Sequence, residues 1–301
     1  MKIGRRNFVR GLKVEEGVDL RLKKSLSFCC VASLLVLAAL SVYFYAKAAR
    51  SVPVLNYHQV NDTEQNSMTI TTEQFAAQMQ YLHDAGYTPI TIADMLAAWD
   101  DNAPLPKKPV IITFDDGYMD NYRHAFPILQ QHNFKATIFV VTDYINTYPN
   151  YLTWDDAYVM QQSGLIEFES HTLSHQDLTK TKSEENIRWQ LSGARQALAW
   201  HLKKDSRFLA YPGGVCDKRS MQLTEDIGYK AAFTVHYGLC DPQSSYRYAL
   251  PRIPIFGSLT HTLFRFKVRL WFAPVIECLS DTQRILLAND LPFLAKLVPI
   301  P

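Results

Sequence analysis

From Val52 onward, short apolar runs alternate with helix-like segments, and this alternation constrains the fold more than any other feature of the chain. "VPVLNYHQV" (52–60) reads as a first strand with His58 near its C-terminal end. "TTEQFAAQMQYLHDAG" (71–86) opens on threonine, carries Glu73 in its first turn and stops at glycine, the signature of a capped helix. "KPVIITF" (108–114) is a continuous apolar run of strand length, as expected for a strand buried on both faces. The same reading predicts a helix over "YRHAFPILQQHNF" (122–134) despite Pro127, and strands at "KATIFVV" (135–141) and "LIEFES" (165–170). A helix over 184–204, a strand at "RFLAYP" (207–212), a helix ending in "LTEDIG" (223–228) and strands at "KAAFTV" (230–235) and "LPRIPI" (250–255) complete the series. Such alternation predicts a mostly parallel sheet with helical crossovers. The chain has 301 residues and 48% hydrophobic content, room for one barrel of the kind that takes roughly 250 residues.

Ahead of this region, residues 1–24 form a basic tail with a net charge of +5. Since the whole chain carries +2, the remainder carries −3, which argues against a nucleic-acid-binding role. Residues 25–46, "SLSFCCVASLLVLAALSVYFYA", are an uncharged run, and about 20 apolar residues span a bilayer. The expectation is a transmembrane anchor with the basic tail in the cytoplasm and the rest of the chain outside. A cleaved signal peptide is the alternative, because Ala46-Lys47-Ala48 is a small-x-small pattern, although signal cores span only about 7–15 residues. Cys216, Cys240 and Cys278 lack metal-type spacing and allow at most one disulfide.

His58, Asp115, Asp116, His171 and Pro212 all lie at or just past the C-terminal ends of predicted strands, which in a parallel barrel share the face that holds the active site. "ESHTLSHQDL" (169–178) spaces His171 and His175 at i and i+4, which on a helical turn puts both imidazoles on one face. With Asp116 they make a two-histidine, one-carboxylate set with open positions for water and substrate. The same ligand set serves iron oxygenases, so it does not specify the reaction by itself. Asp115, beside the ligand and not needed as one, is placed to act as the base for a metal-assisted hydrolysis.

"TFDDG" (113–117), followed by "SHTLSH" (170–175) and then "AYPGG" (210–214), resembles the NodB-homology polysaccharide deacetylases, carbohydrate esterase family 4, over about 52–256. The resemblance implies a distorted parallel (β/α) barrel, with Asp115 as base and Asp116, His171 and His175 holding one divalent ion, zinc as a rule, cobalt or nickel in some cases. The substrate implied is a polymer of N-acetylglucosamine, with a polysaccharide synthase as functional neighbour. The sequence departs from the family in "AYPGG", where Ala210 stands in place of an arginine that holds the base. Arg252 in "LPRIPI" is the candidate to orient Asp115 instead, and the Gly213 N–H is the candidate oxyanion donor. The early "LNYHQV" resembles the poly-β-1,6-N-acetylglucosamine deacetylases, which implies His58 as the acid that protonates the leaving amine. His261 in "LTH" (259–261) is the alternative acid. Tyr211 and Trp154, the latter in "YLTWDD", are candidates to line the sugar site.

These readings divide the chain into the basic tail 1–24, an anchor 25–46, a deacetylase domain 47–261 and a helical tail 262–301, expected to pack on the barrel or to lie as an amphipathic segment on a membrane. The function expected is metal-dependent removal of N-acetyl groups from an extracytoplasmic polysaccharide. Peptidoglycan or chitooligosaccharide deacetylation and an inactive carbohydrate-binding protein are the alternatives. A glycosidase using the Asp115/Asp116 pair is disfavoured, since its two carboxylates must lie about 5–9.5 Å apart across a sugar and neighbouring residues seldom provide that.

Overall fold

The computed structural model of the chain describes residue 28 and residues 31–64, 66–243, 245–257 and 262–298. The chain forms two units, Met1–Ala49 and Arg50–Pro301. In the first, helix α1 (Val31–Arg50) has a mean hydropathy of 1.8 and none of it is buried. Twenty helical residues rise about 30 Å, enough to cross a bilayer. The helix runs past the apolar stretch, which ends at Ala46, and the whole of the predicted basic tail, residues 1–24, lies outside the described residues.

The second unit is a closed parallel barrel of seven strands. In chain order its elements are β1 (Val54–Tyr57), β2 (Gln59–Val60), β3 (Thr69–Ile70), α2 (Thr72–Asp84), β4 (Thr88–Pro89), α3 (Ile92–Asp101), β5 (Pro109–Phe114), α4 (Phe126–His132), β6 (Ala136–Val140) and α5 (Trp154–Gln162). There follow β7 (Ile166–Ser170), α6 (Glu184–Leu202), β8 (Phe208–Ala210), α7 (Lys218–Asp226), β9 (Ala231–Tyr237) and β10 (Leu250–Pro254). The strands run β1-β10-β9-β8-β7-β6-β5 around the barrel, and β5 returns to β1 with Tyr57 opposite Phe114. Strand β4 is a short addition on β5, and β2 pairs only with β3. This is the parallel (β/α) barrel expected, and strands such as β5 and β6 are almost wholly apolar because side chains inside and helices outside bury both faces.

Local chemistry explains the helix starts. Thr71 opens α2 with a capping box to Gln74, and the boxes Thr91/Asp94 and Thr153/Asp156 open α3 and α5 in the same way. The strand-based reading passed over α3 and α5, although both boxes are legible as Thr-x-x-Asp. The segment around Pro127 begins with a π-helical turn (Asn121–Ala125) that runs directly into α4, with the proline in the first turn of α4.

The C-terminal tail is three helices, Leu263–Trp271, Ala273–Ala288 and Pro292–Lys296. Phe266, Leu270, Ala273 and Ile276 are buried in the main core cluster, so the first two of these helices pack on the barrel unit. Cys216, Cys240 and Cys278 are all free thiols, so the disulfide that the sequence permits is absent among them.

Candidate active site

The strand ends gather the chemical residues at one mouth of the barrel. After β5, the Asp115 N–H still pairs with the Tyr57 carbonyl (3.0 Å), and then Asp116 (φ +74°) and Gly117 (φ +83°) turn the chain out of the sheet. A Cβ on residue 117 would lie 2.8 Å from Val140 Cγ1, so only glycine fits the turn. Left-handed backbone at an aspartate carries a cost of about 1–2 kcal/mol, and such strain concentrates where function holds a side chain in place.

His171 and His175 come from the loop after β7. This loop is irregular, with Thr172 (φ +68°) and His175 (φ +59°) left-handed, so the helical turn expected from their i, i+4 spacing is not how they converge. Gln190 of α6 holds the loop by accepting from the Ser174 N–H (3.0 Å) and donating to Ser174 Oγ (2.9 Å).

Both histidine Nε2 atoms lie 3.4 Å from Asp116 Oδ1, and the three donor atoms are all within 4.8 Å of one another. His171 Nδ1 is 2.7 Å from the Ala210 carbonyl, which fixes Nδ1 as the protonated nitrogen and leaves the Nε2 lone pair facing the carboxylate. Ala210, where the family resemblance places an arginine, thus works through its backbone. Burial pushes the Asp116 carboxyl up, but the adjacent histidines outweigh it and hold the group below its ordinary value. Two imidazoles and one carboxylate converging in this way suit a divalent ion such as zinc and leave coordination positions open. With His175 36% exposed against 3% for His171, the open side faces solvent past His175.

Asp115 sits directly behind this set, with 2% of its side chain exposed. Arg252, from β10, meets it with two parallel hydrogen bonds, Nη1 to Oδ1 and Nη2 to Oδ2, each 2.7 Å. Asn56 Nδ2 donates to Oδ2 as well (3.0 Å). Arg252 is fully buried and is held by the Thr234 carbonyl (2.9 Å) and Thr113 Oγ1 (3.2 Å). Burial alone would raise the Asp115 pKa, but the guanidinium and the neighbouring histidines hold it well below the usual carboxylate range. His58 Nε2 lies 4.0 Å from Asp115 Oδ2, its ring against Phe256 and its carbonyl accepting from Asn121 Nδ2 (2.8 Å). Burial lowers its pKa, and the charges of Asp115 and Asp116 act in the opposite direction.

The remaining sequence candidates fall elsewhere. Gly213 (φ +64°) lies in the turn after Ala210 with open space on its Cα. Tyr211 is not a sugar contact: its ring is buried among Leu191, Leu223 and Tyr229 on the outside of the barrel, with its hydroxyl donating to the Tyr248 carbonyl (3.0 Å). Alternation along a strand explains this, since the residue after Ala210 must point to the opposite face. Trp154 stacks face to face on His201 at 4.3 Å, in the contact between α5 and α6, and packs against the main core cluster. Its contacts are those of a packing residue. His261 lies outside the described residues. The sequence reading missed Asn56, which shares Asp115 with Arg252, and Asn121, which holds the His58 backbone. The first lies two residues before His58, and the second closes the "TFDDGYMDN" run (113–121).

Residues 102–232 match the polysaccharide deacetylase family. A poly-β-1,6-N-acetyl-D-glucosamine N-deacetylase of Staphylococcus aureus is 28% identical over 233 residues, covering 68% of this chain and 79% of that protein. The structure of the Streptococcus pyogenes deacetylase PplD in complex with acetate superposes with a TM-score of 0.65 at 27% identity, over 70% of this chain and 95% of the other. IcaB from Ammonifex degensii shares the fold, with a TM-score of 0.66 at 23% identity over 75% of this chain and 97% of that one.

Proposed function

We propose that this chain, which carries a polysaccharide deacetylase domain, hydrolyses the acetamide of N-acetylglucosamine residues in an extracytoplasmic polysaccharide, poly-β-1,6-N-acetylglucosamine. The observation that carries this reading is the Arg252-clamped Asp115 directly beside the converging donors of Asp116, His171 and His175. A divalent ion held by those three residues would polarise the acetamide carbonyl and acidify the attacking water. Asp115, kept ionised by Arg252, accepts a proton from that water as its oxygen bonds to the carbonyl carbon. The Gly213 N–H donates to the oxygen on which negative charge develops. His58 then gives its proton to the amine nitrogen as the carbon–nitrogen bond breaks, releasing acetate and a glucosamine unit. The linkage rests on the name of the Staphylococcus aureus relative. The location outside the membrane rests on the basic tail and the apolar helix α1, read as an anchor.

The test strips the protein with chelator, reloads it with zinc, cobalt or nickel, and measures acetate released from β-1,6- and β-1,4-linked N-acetylglucosamine oligomers. Metal-dependent release that favours the β-1,6 oligomer and vanishes in Asp115→Ala supports the reading. Preference for the β-1,4 oligomer or for peptidoglycan moves the substrate to that polymer. A folded, metal-binding protein that releases no acetate from any of them is a carbohydrate-binding protein instead.

A further inference from the structure

Beside the metal-ligand set stands a built aromatic wall that the reaction above does not use. The segment 141–153, after β6, is buckled to both ligand-bearing loops. Leu152 N–H donates to the Gly117 carbonyl (3.0 Å) and Met119 N–H to the Asn150 carbonyl (2.9 Å), closing a bridge between Tyr118 and Tyr151. On its other side the Thr142 and Asp143 N–H groups donate to the carbonyls of Thr172 and Leu173, at 3.3 and 2.9 Å. Four tyrosines are thereby fixed between the Asp116 turn and the His171–His175 loop. Tyr118 and Tyr151 stack at 4.8 Å, Tyr144 meets Tyr151 edge-on at 4.9 Å, and Tyr148 meets Tyr144 edge-on at 5.1 Å. Tyr118 follows Asp116 by two residues on the same turn, and the bridge to Tyr151 brings the other rings up to it. Tyr148 is 49% exposed and the other three are half-buried, so the cluster is a surface of ring faces and hydroxyls.

We propose that Tyr118, Tyr144, Tyr148 and Tyr151 form the subsite that holds the pyranose ring adjacent to the sugar whose acetamide is cleaved. A pyranose presents an apolar C–H face ringed by hydroxyls, the complement of an aromatic face with a phenolic edge. A wall strapped to both ligand loops gives a fixed distance between the bound neighbour and the reacting acetamide, so recognition of the polymer orients the bond to be cut. Loop tightening alone would account for Tyr118 and Tyr151, whose rings stack across the bridge. It does not account for Tyr148, which leaves half of its surface in water at the rim of the site. The inference rests on the proposed function for its choice of sugar.

The test measures binding rather than turnover, so that it stands apart from the deacetylase assignment. Chelator-stripped full chain in detergent is titrated by calorimetry with a β-1,6-linked N-acetylglucosamine oligosaccharide and with the monosaccharide. Tyr148→Ala is expected to lower the ratio of oligosaccharide to monosaccharide affinity about tenfold, the loss of one stacking contact, and Tyr148→Phe to restore most of it. Tyr148 is exposed, so its removal opens no core, and a wild-type melting temperature verifies this. An unchanged ratio in Tyr148→Ala overturns the subsite. If the wild type binds the oligosaccharide in this way and yet releases no acetate when metal is restored, the catalytic reading fails and the subsite stands.

Discussion

Arg252 and Asp115, separated by 137 residues, meet face to face in the barrel mouth with both Nη–Oδ distances at 2.7 Å and almost no contact with solvent. A buried, two-pronged pair of this kind fixes the carboxylate in orientation as well as in charge. It also makes Asp115 dependent on a residue far away in the chain.

Removing the arginine exposes that dependence. In Arg252→Met the carboxylate is left buried without its partner, and unfolding in urea is expected to show a loss of about 3–5 kcal/mol at neutral pH. The sign with pH follows from the depressed pKa. Asp115 contributes stability above its unfolded value, about 3.9, and that contribution is lost as pH falls through the lower folded value. Without Arg252, burial dominates and the pKa rises, so the acid limb of the acetate-release profile moves to higher pH. An acid limb that stays in place would contradict the role given to Arg252.

Metal binding should be separable from folding. His175 is a loop residue with a third of its side chain exposed, so His175→Ala is expected to melt like the chelated wild type. Zinc at about a hundred times its Kd stabilises a protein with an intact site by about 2.7 kcal/mol, and the variant should lose that increment. The comparison needs only thermal melts with and without metal. A zinc-dependent rise in the melting temperature of His175→Ala equal to that of the wild type would remove His175 from the ligand set.

As the proposed acid, His58 would donate a proton only in its charged form, so turnover is expected to fall as pH rises through its pKa, which burial lowers and the two aspartates partly restore. His58→Asn is expected to reduce kcat by about 10²–10⁴ and to abolish this descending limb while zinc affinity is unchanged. Retention of the limb in the variant would transfer the acid role to another group, with His261 first in line.

Gly117→Ala tests whether the turn that delivers Asp116 is sterically determined. The added methyl meets Val140 Cγ1 at 2.8 Å in a left-handed conformation, and the conformational part alone costs about 1–2 kcal/mol. Zinc affinity should fall as well, because the same turn aims the Asp116 carboxylate. Gly213→Ala, also left-handed but with open space around it, is expected to show the conformational cost without a steric one. Equal melting temperatures for the two variants would refute the distinction.

Local sequence determined much of this protein. Runs such as "KPVIITF" and "KATIFVV" can be satisfied only by strands covered on both faces, and threonine caps start helices wherever the periodicity allows, so the alternating barrel was legible in order and class. The adjacent aspartates and the paired histidines were legible as chemistry because their residue types and strand-end positions leave few other uses. Tertiary structure decided what no local pattern records. Closure of the barrel brings β1 between β5 and β10, and this alone joins Asn56, Asp115 and Arg252. An irregular loop with two left-handed residues aims His171 and His175, where spacing had suggested a helical turn. Tyr211 and Trp154 went to packing, while Tyr118, Tyr144, Tyr148 and Tyr151 came to the site, because the inside or outside fate of an aromatic ring depends on the strand's pleat and on which helix covers it. Those are relations between distant segments, and they exist only once the sheet has closed.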